Sequence, residues 1–420
     1  MWQTLRNAWK IIDLRKKLLY TLGMLLLYRV LCFVPTPGVN LEALQQAVSQ
    51  YDILVFMNMM TGSAIDQFNI MAMGITPYIN ASIIMQLLTV AIPKLEQLQK
   101  EGEEGRKKIA QYTRYATIAL GFIQAVALSR GLGASAAGTW DSYITIGVCL
   151  AAGTAMAMWI GERITTNGIG NGISLLIFAG IISRIAGAVA SAVMGIFNQT
   201  SGTMNIFSML IVVVLSLIMI IAVVFVDLGE RRVPVQYAKR MVGRKMYGGQ
   251  STHIPLRVNS TGVLPLIFAS AIMQFPGTIM AFWPNSSASQ WWTAHFNFAG
   301  APYQILFALL IFGFTYFYTA ISFNPADISK NIQQNGGMIP GIRQGKPTTD
   351  YLHKISNRIT LFGAVFLALL ATIPTALSAV AGLDLPFAAS SLLIAVSVAM
   401  ETTRQLESQM LMRHYKGFLK

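Results

Sequence analysis

Few side chains in this sequence have the type and spacing that chemistry requires. The four histidines lie far apart, in predicted loops or in the tail: His253, His295, His353 and His414. No catalytic triad, HExxH, Walker loop or metal-ligand spacing accompanies them. An intramembrane enzyme or an ion-coupled transporter would place ionisable groups at mid-span. In this sequence the groups that come closest to such a position are Arg29, Arg184 and the interfacial Asp227. The sequence therefore predicts no enzyme active site, no metal and no cofactor, and it favours an apolar pore.

The elements that must position any site are membrane-spanning helices. Of the 420 residues, 54% are hydrophobic and 11% are charged, whereas a soluble chain is about one quarter charged. A spanning helix needs about 20 mostly apolar residues. We predict an all-α integral membrane protein with ten spans, at about 18–36, 68–93, 113–130, 142–161, 173–195, 205–226, 261–284, 303–323, 359–380 and 384–401.

The distribution of lysine and arginine predicts the sidedness of the chain. In the ten-span arrangement, all but three of the 31 lysines and arginines fall on one face; the exceptions are Arg29, Arg130 and Arg184. Cytoplasmic loops carry the excess of basic residues in membrane proteins. We therefore expect both termini in the cytoplasm, and most of the net charge of +14 is explained by this bias.

Two predicted cytoplasmic loops, 227–258 and 324–358, are longer and more basic than a simple connection requires. Both are rich in glycine, proline, arginine and lysine, and they carry apolar residues such as Met241 and Ile342. Surfaces of this kind suit a large cytoplasmic partner, including one that carries RNA, because basic side chains contact phosphates regardless of sequence.

Two segments depart from plain spanning helices. Residues 61–69 are small and polar, and they lead through Gly74 and Pro77, where a helix should break, into a strong helical run. This predicts a short half-inserted piece on the outer side, a kink and then a full span. The glycines of GIGNGIS at 168–174 favour a tight cytoplasmic turn over an anion-binding loop, because no strand precedes them.

The segment PYINASIIMQLL at 77–88 resembles the second span of the SecY/Sec61-alpha family of protein-conducting channels. The resemblance continues in the same order and spacing over the whole chain: RKKIAQYTRY at 106–115, GERITTNGIGNGIS at 161–174, RRVPVQYAKR at 231–240, THIPLRVNSTGVLPLIFAS at 252–270, FNPADIS at 323–329, IPGIRQGKPT at 339–348 and MLMRHYKGFLK at 410–420. The last of these segments is similar to bacterial members.

The resemblance implies ten helices in two inverted, pseudo-symmetric halves around an hourglass pore. The implied divisions are a cytoplasmic segment at 1–17, a first half at 18–195, an external hinge at 196–204, a second half at 205–401 and a cytoplasmic tail at 402–420.

The resemblance also implies a ring of aliphatic side chains that closes the pore. Its members here are Ile75, Ile79, Ile173, Ile177, Ile267 and Ile394. Residues four apart face one way on a helix, and aliphatic groups at a constriction exclude water and ions. Composition alone would favour lipid-facing or packed isoleucines, so the assignment depends on the family.

On the outer side, the resemblance implies a plug at about 62–72 that fills the outer funnel at rest. Its predicted residues are Gly62, Ser63, Ala64, Ile65, Asp66, Gln67 and Phe68. Asp66 departs from the family pattern, because plug residues in the family are usually small and uncharged. The outer loop 285–302 matches no family motif, and its Trp291 and Trp292 are predicted to anchor at the membrane interface.

A lateral gate is implied between spans 2 and 3 on one side and spans 7 and 8 on the other. Gln86 and Asn259 are the family's polar gate positions. We expect a hydrogen bond between them to help hold the gate shut, at about 0.6 kcal/mol for a polar contact between membrane helices. The alternative for Gln86 is a packed interhelical contact with no role in gating.

The implied function is a protein-conducting channel that passes signal-bearing preproteins across the plasma membrane and releases hydrophobic segments into lipid. The implied partners are SecE and SecG in a heterotrimer, the motor ATPase SecA, the ribosome and membrane lipids. Docking is implied at Arg240, Arg244, Lys245 and Arg343. The alternatives are a secondary transporter of a small solute, which the scarcity of mid-span carboxylates disfavours, an intramembrane enzyme, and an insertase without a through-pore.

Overall fold

The computed structural model describes residues 6, 8–40, 68–135, 137–197, 206–237, 240–242, 245–247, 251–259, 261–280, 286–296, 300–381 and 389–417. The N-terminal helices are α1 (Ile12–Leu31), α2 (Thr76–Ala91), α3 (Pro93–Lys100), α4 (Glu103–Gly131), α5 (Trp140–Asn167) and α6 (Gly172–Phe197). The C-terminal helices are α7 (Ile206–Leu228), α8 (Leu264–Met280), α9 (Ser287–His295), α10 (Ala301–Ser322), α11 (Pro325–Gln334), α12 (Lys346–Ala381) and α13 (Ala389–Gly417). The strands are β1 (Glu230–Tyr237), β2 (Arg240–Val242), β3 (Lys245–Tyr247), β4 (Ser251–Arg257) and β5 (Gly337–Met338).

The apolar runs form helices because a helix satisfies its backbone polar groups within one segment, as a membrane requires. Prolines lie in the first turns of several helices, where the missing N–H leaves no hydrogen bond broken. Pro77 lies in the first turn of α2, and Pro93 begins α3. Between α2 and α3 the chain bends by 99°, at the extended residue Ile92.

Some of the helices have the length and apolar composition that a membrane span requires. Three helices are long and apolar enough by themselves to cross a membrane: Trp140–Asn167, Ala301–Gln334 and Lys346–Thr375. The bent pair α2 and α3 makes a fourth if it is taken as one span. Each of the ten predicted segments overlaps a helix, but the other helices do not pass this test within the described residues. Several spans are therefore supported, whereas the count of ten stays a prediction.

The two long loops fold together instead of forming separate linkers. Strands β4, β1 and β5 make one antiparallel sheet in that order, with Glu230 opposite Arg257 and Gln236 opposite Met338. Buried side chains from both loops share one apolar cluster, which we call the sheet unit: Val233, Val235, Leu256, Ile332, Ile339 and Leu352. The all-α description is thus confirmed for the spanning region and does not extend to this unit.

The glycine-rich segment after α5 is a tight turn, as predicted. Gly170 has φ +89°, a conformation that favours glycine. The backbone N–H of Ile169 donates to Thr21 Oγ1 at 3.1 Å, and the Ile169 side chain is buried against Leu14 and Leu406. The turn therefore joins α1, α5 and α13 at one end of the bundle.

Candidate functional site

The six isoleucines predicted to form a pore ring come from four helices and meet in one apolar cluster. Five of them are buried members of this cluster: Ile75, Ile79, Ile177, Ile267 and Ile394. Ile173 is half-buried and packs against the same cluster. Ile75 precedes the first residue of α2, but Ile79 N donates to Ile75 O at 3.1 Å, so the pair keeps the spacing of one helical turn.

A cavity lies beside the isoleucines of α2 and α6. It is lined by Tyr28, Gly74, Ile75, Thr76, Ile79, Leu176 and Ile177. These side chains offer hydroxyl groups but no carboxylate, amine or imidazole. The space is therefore suited to transient apolar contact and not to acid-base or metal chemistry. Among the described residues, no three His, Cys, Asp or Glu side chains are grouped as metal ligands.

The backbone before α2 is irregular, and Asn69 satisfies part of its hydrogen bonding. Asn69 Nδ2 donates to the carbonyl of Cys32, and its Oδ1 accepts from Met71 N at 3.1 Å. The N–H of Ile70 also donates to Val34 O at 3.0 Å. Irregular backbone within a membrane requires such partners inside the protein. Sequence reasoning missed Asn69, because it ends the small, polar segment 61–69 and does not stand out from its neighbours.

The kink predicted near Gly74 and Pro77 is present. Gly74 has φ +51°, and regular helix begins at Thr76. Of the predicted plug residues, only Phe68 lies within the described part of the chain. It is fully buried, packed with Ala72 and Met73. Gly62, Ser63, Ala64, Ile65, Asp66 and Gln67 lie outside the described residues, so the plug stays a prediction.

The two predicted gate amides have different hydrogen-bond partners from the expected ones. Gln86 Oε1 on α2 accepts from the hydroxyl of Tyr318 on α10, and Gln86 Nε2 lies 3.5 Å from Ser82 Oγ. Asn259 Nδ2 donates to Asp227 Oδ1 at 2.8 Å. The prediction of a hydrogen bond between Gln86 and Asn259 is therefore wrong for this state of the protein. The reason is that Asp227 is buried at the end of α7 and a buried carboxylate requires a donor.

Tyr318, which the sequence did not single out, lies at an aromatic contact between helices. Its ring stacks on Phe268 of α8 with centroids 4.9 Å apart, and Phe317 meets it edge-on at 5.7 Å. A tyrosine in an apolar helix combines a large packing surface with a hydroxyl that needs a partner. That combination is the signal that could have identified it.

The mid-span arginine Arg29 is engaged with a neighbouring helix. Its guanidinium on α1 donates to Ser183 Oγ on α6. This contact agrees with a structural role in helix packing. The side chain of Arg184, the other mid-span arginine, lies outside the described residues.

The loop that carries Arg343 is held by the sheet unit with the arginine outside. Arg343 is exposed, and its carbonyl accepts from Thr348 Oγ1 at 2.7 Å. Gln344 Nε2 donates to Gly337 O at 2.8 Å, while Ser329 Oγ donates to Gly345 O at 2.9 Å. The loop thus presents its one arginine from a fixed backbone.

The other predicted docking residues belong to the preceding loop, 227–258. Arg240 and Lys245 belong to the antiparallel pair of β2 and β3, where Arg240 is opposite Tyr247 and Val242 is opposite Lys245. Arg244 and the side chains of Arg240 and Lys245 lie outside the described residues. Their role in docking stays a prediction.

Comparison with known proteins gives the family. The model of the SecY family matches residues 69–403. The protein translocase subunit SecY of Thermotoga maritima is 41% identical, over 100% of this chain and 98% of that protein. The protein of the same name from Halalkalibacterium halodurans is 44% identical over 100% of both chains.

Solved structures agree with the sequence relatives on the fold. The structure of a protein-conducting channel matches with a TM-score of 0.67 at 20% identity, over 94% of this chain and 92% of its own. Sec61 in the canine ribosome-channel complex matches with a TM-score of 0.64 at 19% identity, over the same shares. Because its relatives match along their whole length, the chain belongs to the SecY/Sec61-alpha family.

Proposed function

We propose that this protein is the channel subunit of a protein translocase, which passes unfolded, signal-bearing polypeptides across the membrane. The observation that carries the proposal is the meeting of isoleucines from α2, α6, α8 and α13 in one buried cluster. A constriction of this chemistry excludes water and ions when closed. It also offers no fixed polar partner, so it can yield around any side chain that passes.

The alternative, a secondary transporter of a small solute, is not favoured. Such transporters build their coupling sites from groups near the bilayer midplane. The ten predicted spans hold Asp and Glu only at the two ends of the last one, at Asp384 and Glu401. An apolar constriction without a midplane carboxylate supports passive conduction of a polymer driven from outside.

The partners follow from the family and from the exposed basic loops. We infer assembly with SecE and SecG, and energy supplied by the SecA motor or by a ribosome. The exposed Arg343, on its fixed loop, supports a role in coupling to the motor. The basic tip with Arg240, Arg244 and Lys245 would contact the motor or ribosomal RNA phosphates. The distribution of basic residues supports cytoplasmic termini, and the bacterial relatives support a location in the plasma membrane.

Two further parts of the mechanism belong to this proposal. The segment at 62–72 would act as the plug and 196–204 as the external hinge. A lateral gate that includes Gln86 would release apolar segments into lipid. Gln86 supports this role because it accepts a hydrogen bond from Tyr318 of α10. This bond joins an N-terminal helix to a C-terminal helix.

Site-specific crosslinking tests the pore path. Cys32 and Cys149 are replaced by serine, a cysteine is installed at Ile79, and a precursor with a mid-chain cysteine and a folded C-terminal block is stalled in the assembled complex. We expect a disulfide that requires ATP and a signal sequence. The control is a cysteine at Ile218, which is 58% exposed on α7 and should not react. Translocation without a disulfide at Ile79, Ile177 or Ile394 would refute the assigned path.

A further inference from the structure

Tyr318 contacts both sides of the boundary between the N-terminal and C-terminal helices. It is 7% exposed on α10, and its hydroxyl donates to Gln86 Oε1 on α2, 232 positions away in sequence. Its ring stacks on Phe268 of α8, at an interplanar angle of 29°. Phe268 also meets Phe314 of α10 edge-on, at 6.2 Å.

The two kinds of contact differ in where they act. The aromatic contacts join α8 and α10, which both belong to the C-terminal helices. The hydrogen bond joins Tyr318 to Gln86 on α2, which is an N-terminal helix. Separation of α2 from α10 would therefore break the hydrogen bond and leave the stacked rings intact.

We propose that Tyr318 is the latch of the lateral gate, with its hydroxyl holding Gln86 in the closed state. This inference rests on the proposed channel function and adds a positioning residue to it. When the latch opens, Gln86 Oε1 loses the Tyr318 hydroxyl, while Gln86 Nε2 keeps its contact with Ser82 Oγ, 3.5 Å away within the same helix. Tyr318 then moves with Phe268 as one aromatic unit.

The size of the effect follows from the strength of such bonds in membranes. Hydrogen bonds between membrane helices average about 0.6 kcal/mol, which corresponds to about a threefold change in an equilibrium. Removal of the hydroxyl should therefore raise the ratio of open to closed gate about threefold. A latch of this strength keeps the gate shut at rest and still yields to a binding apolar helix.

The test measures the gate distance in the assembled translocase in lipid vesicles. Cys32 and Cys149 are replaced, and spin labels are attached to cysteines at Leu87 and Ile321. Both positions are exposed, and they follow Gln86 on α2 and Tyr318 on α10. Pulsed electron paramagnetic resonance then gives the populations of short and long distances. Export of a precursor with a weakened signal sequence is measured on the same preparations.

Tyr318→Phe keeps the stacked ring and removes only the hydroxyl, so we expect about three times more of the long distance and faster export of the weakened precursor. The matched control is Tyr316→Phe on the same helix. The Tyr316 hydroxyl lies 3.5 Å from the carbonyl oxygen of Asn357 on α12, which is a C-terminal helix. The control should behave like the unaltered protein.

Gln86→Met removes the acceptor from the other side and remains informative if the tyrosine variant folds poorly. The double variant should be no more open than either single variant, because both remove one bond. Equal distance distributions for Tyr318→Phe and Tyr316→Phe would overturn the latch. If the unaltered complex exports no precursor at all, the channel function fails instead, and the two failures are thereby distinguished.

Discussion

Replacement of Asn259 by alanine should destabilise the protein through Asp227. The carboxylate of Asp227 is 6% exposed and lies in the last turn of α7, where the negative end of the helix dipole disfavours it. Its Oδ1 accepts from Asn259 Nδ2 at 2.8 Å, and its backbone carbonyl accepts from Arg404 of α13. Asn259 therefore stabilises a buried charge at the point where α7, α8 and α13 come together.

The expected loss can be worked out from this one contact. Asn259 Oδ1 has no hydrogen-bond partner among the described residues, so the substitution removes the bond that Nδ2 makes to Asp227. Hydrogen bonds to charged groups contribute about 1.5–3 kcal/mol. We expect Asn259→Ala to lower the free energy of unfolding by that amount. In an Asp227→Asn background the bond is neutral, and the same substitution should remove only about 0.5–1.5 kcal/mol.

Equilibrium unfolding in mixed detergent micelles, followed by circular dichroism, gives these free energies. The control is Asn357→Ala, an exposed asparagine on α12 whose loss should stay within about 0.5 kcal/mol. A coupling energy between Asn259 and Asp227 below about 0.5 kcal/mol would refute the reasoning. Coupling of Asn259 to Gln86 in place of Asp227 would instead restore the gate pair that the sequence predicted.

Two further predictions concern the packing of the N-terminal helices and the basic loop. Gly153→Ala should lower the free energy of unfolding by about 1–3 kcal/mol, because the new Cβ would lie 1.9 Å from the backbone oxygen of Ile70. The control is Gly23→Ala, whose new Cβ has nothing within 4 Å. It should raise the free energy of unfolding by about 0.5–1 kcal/mol in the same assay. Arg343→Glu should abolish motor-driven export in vesicles and leave the unfolding free energy unchanged, because the side chain is exposed. The control is Lys346→Glu, a likewise exposed basic residue at the start of α12, which should retain most export.

The helices could be predicted from the sequence because their signal is local. Runs such as that of α7 are apolar over a whole helix and need no distant partner to be recognised. The break before α2 was also local, since Gly74 and Pro77 each restrict the backbone where they stand. The meeting of Ile79, Ile177 and Ile394 was not local, and only the resemblance to a known family predicted it.

The sheet unit could not be predicted, because its pattern is short and its partners are distant. β1 shows only two buried positions in alternation, Val233 and Val235, and one of its partners is the two-residue strand β5, about a hundred positions later. The partner of Gln86 was missed for the same reason. The hydrogen-bond partner of a polar side chain within a membrane protein depends on which groups the fold brings close to it. A single sequence does not give that arrangement.

The kinds of contact suggest where the protein moves. Within the N-terminal helices, backbones approach through glycine: a Cβ on Gly172 would lie 2.0 Å from the carbonyl oxygen of Gly161, and Gly153 is as tight against Ile70. Such contacts cannot slide without a steric clash. Where α2 meets α10, the described hydrogen bond is between the side chains of Gln86 and Tyr318, which can part at little expense. A channel that must stay folded while it opens requires both kinds of contact, with close backbone contacts within its N-terminal helices and a separable side-chain hydrogen bond between α2 and α10.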